Sequence, residues 1–247
     1  MMFPNSIFVG SGTVINIFAI LLGSSLGILV GSKLSSKSQT LITDVLGLIT
    51  MLGAVSALTP LWSRQFIDAL PKGSSLLVIL GAMLIGGLIG SLLSLEDRLD
   101  AIGENLRQRF RASAESPFVE GFVSASLLFV IGPLAILGSV SDGMSQGIDQ
   151  LILKSSLDFF ASMAFASSLG WGVAASAIPV GIYQGFWTIT GLFLGKILSQ
   201  PQIDAMTITG GLMLVGISLR LLNIKKIAVA NLLPALVIAP LVVAVLV

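Results

Sequence analysis

Long apolar runs, separated by short polar segments, organise the whole chain. A helix needs about 18 to 25 mostly apolar residues to cross the hydrocarbon core of a bilayer. The pattern predicts eight such helices, at residues 9–32, 41–58, 75–93, 118–140, 148–169, 173–195, 203–222 and 227–247. No basic segment precedes the first run, so we expect it to be an uncleaved span.

The composition indicates the same class of protein. Of the 247 residues, 55% are hydrophobic and 10% are charged, whereas an average soluble domain has about 25% charged residues. The mean hydropathy of +1.02 is typical of a chain whose main partner is the lipid bilayer. We therefore predict an all-α, polytopic transmembrane helical bundle, with residues 1–247 in a single membrane domain.

The chain contains no Cys and no His. Disulfides, zinc sites built from these residues and general-base catalysis by His are therefore excluded. A net charge of +1 gives no argument for nucleic-acid binding, and the sequence has no Walker loop, zinc-protease helix or dinucleotide fingerprint. We expect no cofactor, no metal site, no nucleic-acid partner and no enzymatic activity.

Lys and Arg residues are distributed unequally between the two sides of an eight-helix topology, and cytoplasmic loops carry the excess. The larger group comprises Lys33, Lys37, Arg98, Arg107, Arg109, Arg111, Arg220, Lys225 and Lys226, and the smaller comprises Arg64, Lys72 and Lys196. We therefore expect a multi-pass protein of the bacterial inner (plasma) membrane with both termini outside the cytoplasm.

The segment 95–115 holds the densest group of charges in the chain. Its apolar residues recur at helical spacing, at Leu95, Leu99, Ile102, Leu106 and Phe110. This pattern predicts an amphipathic connector helix on the cytoplasmic membrane surface or against the helix bundle. A solvated connector is the alternative.

Two parts of the chain resemble each other. Residues 26–35 (LGILVGSKLS) align with residues 190–199 (TGLFLGKILS), and after a one-residue shift residues 47–58 resemble residues 210–221. The first two predicted spans therefore resemble the sixth and seventh. Because an offset of five spans is odd, the two copies would cross the membrane in opposite senses, as in the inverted repeats of secondary transporters.

Helix-interrupting residues fall inside three predicted spans, namely Gly132 with Pro133, Pro179, and Asn231 with Pro234. Proline inside a helix removes a backbone hydrogen bond, and transporters commonly bind ions where helices are broken. Ordinary kinks are the alternative, since proline and glycine are common in membrane helices.

Glycines recur four residues apart at positions 23, 27 and 31, at 86 and 90, and at 191 and 195. Small residues at this spacing let two membrane helices approach closely. We expect these Gly-xxx-Gly faces to form close contacts within the bundle or in a homodimer.

The fifth predicted span carries the most specific polar pattern. Lys154, Asp158 and Ser162 recur every four residues, so they share one face of a helix. A charge in hydrocarbon costs roughly 2.5 to 3.5 kcal/mol on insertion scales, so this face should meet other helices or a wet cavity. A structural ion pair that fixes helix register and a pair that lines a pathway are the two alternatives.

Other polar residues predicted to be buried are Asn16, Glu120, Gln184 and Asn231. The helix macrodipole favours an acidic residue in a first turn, which would account for Glu120 without any further role. We expect Asp142, which precedes Gly143, to be a turn residue at the outer end. Proton coupling without His would require a buried carboxylate, and Asp158 is the best placed.

Several motifs of the chain resemble those of one known family. They are Gly12-Thr13-x-x-Asn16, Phe118-Val119-Glu120-Gly121-Phe122, Ile131-Gly132-Pro133-x-Ala135-Ile136-x-Gly138-Ser139 with Asp142-Gly143, Lys154-Ser155-x-Leu157-Asp158, Tyr183-Gln184-Gly185 and Asn231-Leu232-Leu233-Pro234-Ala235-Leu236. Over nearly its whole length the chain resembles the YqgA/YdfK-like bacterial integral membrane proteins, catalogued as a domain of unknown function. The resemblance implies no activity, but it implies that the family pattern includes Asn16, Glu120, Asp142, Lys154, Asp158 and Asn231.

We interpret the chain as a transporter or channel for an ion or small polar solute. The predicted binding residues are Lys154, Asp158, Asn16, Glu120, Gly132, Pro133, Ser162, Gln184 and Asn231. Lys154 would either screen Asp158 in the empty site or hold an anionic group, and these alternatives predict opposite substrate charges. The alternative function is a non-transporting assembly or sensor subunit with a structural ion pair.

Overall fold

The computed structural model describes residues 8–113, 116–131, 133–194 and 198–247, and within these ranges the chain is helical and has no strand. The α-helices are α1 (Ser11–Gly31), α2 (Ser36–Leu58), α3 (Arg64–Asp68), α4 (Ser75–Leu92), α5 (Leu95–Arg109), α6 (Phe118–Val130), α7 (Pro133–Gly143), α8 (Asp149–Leu169), α9 (Trp171–Ala175), α10 (Ala177–Leu194), α11 (Gln200–Leu221) and α12 (Ala235–Leu246). A short 3-10 helix at Thr59–Trp62 follows α2, and another at Val229–Leu232 precedes α12.

The described residues contain five helical segments long and apolar enough to cross a membrane, which are Ser11–Gly31, Ser36–Trp62, Ser75–Leu92, Gln200–Leu221 and Val229–Leu246. The bent pair of α6 and α7 would make six if it forms one span. Lys154, Asp158 and the serines of α8 lower the hydropathy of that helix, which is not among the five. Each predicted run contains a helix, but the count of eight spans is not confirmed.

The predicted fourth span is broken. Helix α6 ends at Val130, α7 begins at Pro133, and the two helix axes are bent by 62°. Proline is well suited to the first position of a helix, where its missing N–H is not needed. Gly132, which was predicted to contribute to the break, lies outside the described residues.

The chain divides into two compact units. Unit 1 comprises Met1–Leu46 and Asp100–Ile197, and unit 2 comprises Gly47–Leu99 and Leu198–Val247. Two of the three boundaries, after Leu46 and after Leu99, fall inside helices α2 and α5. The single membrane domain stays a prediction.

The parallel pair of α1 and α8 forms the centre of unit 1. At Gly23, Gly27 and Gly31, an added Cβ atom would overlap the main-chain carbonyl groups of Phe159, Met163 and Ser167. The glycines and the opposing residues are both spaced by four, so the two helices meet along consecutive turns. One predicted glycine face therefore packs within the chain, and a homodimer stays a prediction.

Unit 2 also contains a close contact between helix backbones at glycine residues. Gly86 and Gly90 of α4 lie against the backbone at Ala235 and Asn231, which makes α4 antiparallel to the segment that contains α12. An apolar core below this contact includes Phe66, Leu70, Val78, Ile79, Ala82, Ala205, Ile208, Ala239 and Val243. Close backbone contact again requires glycine, because any side chain would hold the helices apart.

Helix α5 occupies most of the predicted connector segment, of which residues 114–115 lie outside the described residues. Arg107 Nε donates to Glu104 Oε2 at 2.8 Å, and this bond lowers the pKa of Glu104 to about 2. Ile102 and Phe110 are exposed among these charges. The helix therefore keeps the amphipathic character that its sequence indicates.

We expect Gly27→Ala to weaken the contact between α1 and α8, because the new Cβ would overlap the Met163 carbonyl group. Overpacking of this kind costs about 1–3 kcal/mol or more, so the melting temperature in detergent should fall. Gly185→Ala is the matched control, since a Cβ at Gly185 meets nothing within 4 Å. Equal melting temperatures for the two variants would contradict this packing.

Candidate functional site

The candidate site is a buried polar cluster between α1 and α8 in unit 1. Lys154 and Asp158 are four residues apart on α8, and Lys154 Nζ donates to Asp158 Oδ2. Asn16 Nδ2 of α1 donates to the same carboxylate oxygen at 2.9 Å. All three side chains are buried, with exposed fractions of 6%, 7% and 0% for Lys154, Asp158 and Asn16. The structure therefore brings together three of the predicted binding residues.

The ammonium group of Lys154 also lies near the end of the broken helix α6. Its Nζ atom is 5.8 Å from the ring centroid of Phe129, one residue before α6 ends at Val130. The carboxyl end of a helix carries partial negative charge and stabilises a cation, and an aromatic face attracts a cation as well. Lys154 thus has three sources of stabilisation inside an apolar bundle.

Gln184 of α10 lies near the level of Asn16. Gly181 faces Ile17 of α1, and Thr188 Oγ1 is 3.5 Å from Thr13 Oγ1, so α10 runs antiparallel to α1 and Gln184 falls between these two contacts. Its side chain is fully buried.

Three of the four side-chain amide atoms of Asn16 and Gln184 have no hydrogen-bond partner within the described part of the chain. Among the described residues, neither Gln184 Oε1 nor Gln184 Nε2 has a partner, and Asn16 Oδ1 has none either. Buried polar side-chain atoms are in the large majority hydrogen-bonded. The level of Asn16 therefore holds three buried amide atoms that can still accept or donate a hydrogen bond.

Asp142 is not the outer turn residue that the sequence predicted. It is fully buried, and its Oδ2 atom accepts the backbone N–H of Gly12 at 2.9 Å, in the first turn of α1. A helix amino terminus stabilises an anion by about 0.3–1 kcal/mol, and by about 2 kcal/mol in partly buried cases. The effective penalty for burying an ion is several kcal/mol, so this contact alone does not offset it.

The other predicted residues occupy separate places. Glu120 is half-buried in the first turn of α6, where the macrodipole favours it. Ser162 donates to the Phe159 carbonyl and faces Gly23, so it belongs to the contact between α1 and α8. Pro133 begins α7, and Gly132 lies outside the described residues. Asn231 lies in unit 2.

The sequence analysis missed a second buried ion pair, in unit 2. Arg220 Nη1 donates to Glu96 Oε1 at 2.8 Å, and the backbone N–H of Ala230 donates to Glu96 Oε2 at 2.9 Å. The Glu96 backbone N–H in turn donates to Asn231 Oδ1 at 2.9 Å. Arg220 was assigned to a cytoplasmic loop, although it falls inside the predicted run 203–222, where a charge requires a partner.

The chain is similar to known proteins over almost its whole length. Residues 11–244 match the model of the family described as "Protein of unknown function (DUF554)". The chain is 29% identical to the "Uncharacterized membrane protein YdfK" of Bacillus subtilis, over 94% of this chain and 95% of that protein. It is 31% identical to the "Uncharacterized protein YqgA" of Escherichia coli, over 92% of this chain and 94% of that protein. No solved structure matches the chain.

We expect Asp158→Ala to destabilise the protein by about 3–5 kcal/mol, because it removes the carboxylate partner of the buried Lys154 ammonium. The double variant Lys154→Met with Asp158→Leu should recover much of this loss, since no charge is left in the cluster. Thermal unfolding in detergent measures both. Ser156→Ala, an exposed position on the same helix, is the control; a single variant that unfolds like this control would exclude a stabilising pair.

We expect Glu96→Gln to lower the melting temperature as well, because the Arg220 guanidinium then loses a buried carboxylate. Asp97→Asn removes the same charge from the exposed neighbouring position and should change stability by less than about 0.5 kcal/mol. Similar melting temperatures for the two variants would show that the Glu96 contacts do not stabilise unit 2.

Proposed function

We propose that this chain, which belongs to the DUF554 family of proteins of unknown function, transports an ion or small polar solute across the bacterial inner membrane. The binding site is the cluster of Lys154, Asp158 and Asn16, with Gln184 facing the same level of the bundle. The proposal is supported by a buried ion pair bound by Asn16, together with amide atoms of Asn16 and Gln184 that have no partner among the residues that the structure describes.

The energetics favour a ligand over a purely structural cluster. Leaving a buried polar atom unsatisfied costs about 1–3 kcal/mol, and three such atoms belong to Asn16 and Gln184. A cluster that served stability alone would be better built from apolar side chains. A polar ligand supplies the missing partners and accounts for the retention of these groups.

The cluster offers both signs of charge to such a ligand. The Lys154 ammonium can hold an anionic group, or it can screen Asp158 until a cation displaces it. The amide of Gln184 can donate as well as accept, and Asn16 Oδ1 can accept. The charge of the solute therefore stays open, and so does the choice between a carrier and a channel.

Two further features support transport. Helix α6 ends beside Lys154, and transporters commonly bind their ligands at the ends of broken helices.

In unit 2, the segments that resemble each other pack reciprocally, since Gly47 faces Leu222 and Gly211 faces Leu58. Such reciprocity is typical of a two-fold relation between an antiparallel pair and supports the inverted repeat.

We also propose the orientation that the sequence indicates, with both termini outside the cytoplasm and no enzymatic activity. The burial of Arg220 removes it from the loop charges, which leaves eight basic residues against three. The bias still follows the positive-inside rule.

A non-transporting assembly or sensor subunit is the second candidate function. Ile102 of the charged helix α5 and Phe110, which follows that helix directly, are exposed to 50% and 61%, as on a surface that binds a partner protein. In that case replacing both side chains by Ser abolishes function, while the double variant Lys154→Met with Asp158→Leu retains it.

We expect a panel of ions, amino acids and organic acids to contain a ligand that raises the melting temperature of the purified protein in detergent. A ligand at 100 times its Kd adds about 2.7 kcal/mol of stability. Gln184→Leu should raise the basal melting temperature, because it removes two unsatisfied atoms, and should weaken the ligand-induced shift. The uptake of the identified ligand into proteoliposomes then tests transport directly.

The control for this experiment is Ser156→Ala, which should keep the ligand-induced shift of the unaltered protein. A ligand that stabilises the Gln184→Leu variant as strongly as the unaltered protein binds elsewhere. If no compound of the panel raises the melting temperature, and the double variant at Lys154 and Asp158 is functional, the assembly or sensor subunit is the favoured function.

A further inference from the structure

We infer that Asp142 holds a proton inside the folded protein, so that the carboxyl end of α7 carries a protonation site separate from Lys154 and Asp158. The inference goes beyond the proposed function, because it holds whether or not a solute crosses the membrane. It rests on a fully buried carboxyl group at the amino end of α1, where the backbone N–H of Gly12 donates to Oδ2 at 2.9 Å and the backbone of Gly10 also contributes.

The second carboxyl oxygen of Asp142 has no hydrogen-bond partner within the described part of the chain. Ser11 precedes Gly12, is 2% exposed, and its hydroxyl oxygen lacks a partner as well. Two unsatisfied polar atoms therefore lie at the same helix end.

The charged groups on neighbouring helices do not neutralise Asp142. Helix α7 packs against α1, α8 and α10. The titratable side chains of these helices are Asp149, Lys154, Asp158 and Tyr183. Lys154 is already paired with Asp158, Asp149 is acidic and exposed, and Tyr183 is not a cation. A buried carboxyl group without a cationic partner is neutralised by taking up a proton.

The donor set favours a proton over a metal ion. The Gly12 N–H points at the carboxyl group and would repel a metal cation. A hard cation also needs several oxygen ligands, and no group of three or more acidic, His or Cys side chains that could hold a metal occurs among the described residues. The carboxylate and the proton combine without any other reactant, and the only bond formed is the O–H bond.

The site lies one helical turn from the candidate binding cluster. Gly12, which binds Asp142, and Asn16, which binds Asp158, are four residues apart on α1. Loss of the proton would place a second negative charge near Asp158. Proton release at Asp142 would therefore change the electrostatic potential at the cluster of Lys154, Asp158 and Asn16.

Infrared spectroscopy of the purified full-length protein tests the inference directly. The unaltered protein should show the C=O stretching band of a protonated carboxylic acid at a pH where exposed carboxylates are ionised, and Asp142→Asn should lack it. Asp149→Asn, an exposed aspartate, and Asp158→Asn are the controls and should keep the band. A spectrum without the band, or a band that persists in Asp142→Asn, overturns the inference.

A second measurement uses the unaltered protein, in case Asp142→Asn does not fold. Dicyclohexylcarbodiimide reacts with protonated carboxyl groups in apolar surroundings, since the carboxyl proton passes to a carbodiimide nitrogen as the oxygen adds to the central carbon. Mass spectrometry should locate the label on Asp142 and not on Asp158. An unlabelled Asp142, or one that Na⁺ but not K⁺ protects from labelling, overturns the proton assignment.

Discussion

The direct contact between the backbones of α1 and α8 is the constraint on which unit 1 depends. Gly23, Gly27 and Gly31 remove every side chain from one stripe of α1, so the carbonyl groups of α8 lie against it. The same stripe continues toward the amino end of α1 as Gly12 and Asn16. Because the glycines allow the two helices to pack closely, Asn16 of α1 reaches the Asp158 carboxylate of α8.

The two units treat buried charge differently. In unit 2 the Glu96 carboxylate is bound at both oxygens, by Arg220 and by the Ala230 backbone, which is the arrangement of a structural ion pair. In unit 1 the Asp158 carboxylate is bound by Lys154 and Asn16, but amide atoms of Asn16 and Gln184 have no partner among the described residues. Because buried polar atoms are in the large majority hydrogen-bonded, these amide atoms distinguish the polar groups of unit 1 from the Glu96 site.

The polar contacts of unit 1 are arranged at successive positions along α1. Gly12 binds Asp142, Thr13 lies beside Thr188, and Asn16 binds Asp158 within about one helical turn. Gly12 and Asn16 are four residues apart and share one face of α1. A movement of α1 would therefore change the contacts of Asp142 and Asp158 together.

The sequence alone determined the class of protein, the approximate positions of the long helices, the glycine faces at positions 23 to 31 and at 86 and 90, and the polar stripe of α8, because these follow from hydropathy and from the periodicity of a single helix. It did not determine the partners of the charges. Arg220 binds a carboxylate 124 positions away and Gly12 binds one 130 positions away, so the residues next to each group in the sequence do not identify its partner. Only the tertiary structure decided these pairings, because they depend on which helices pack together.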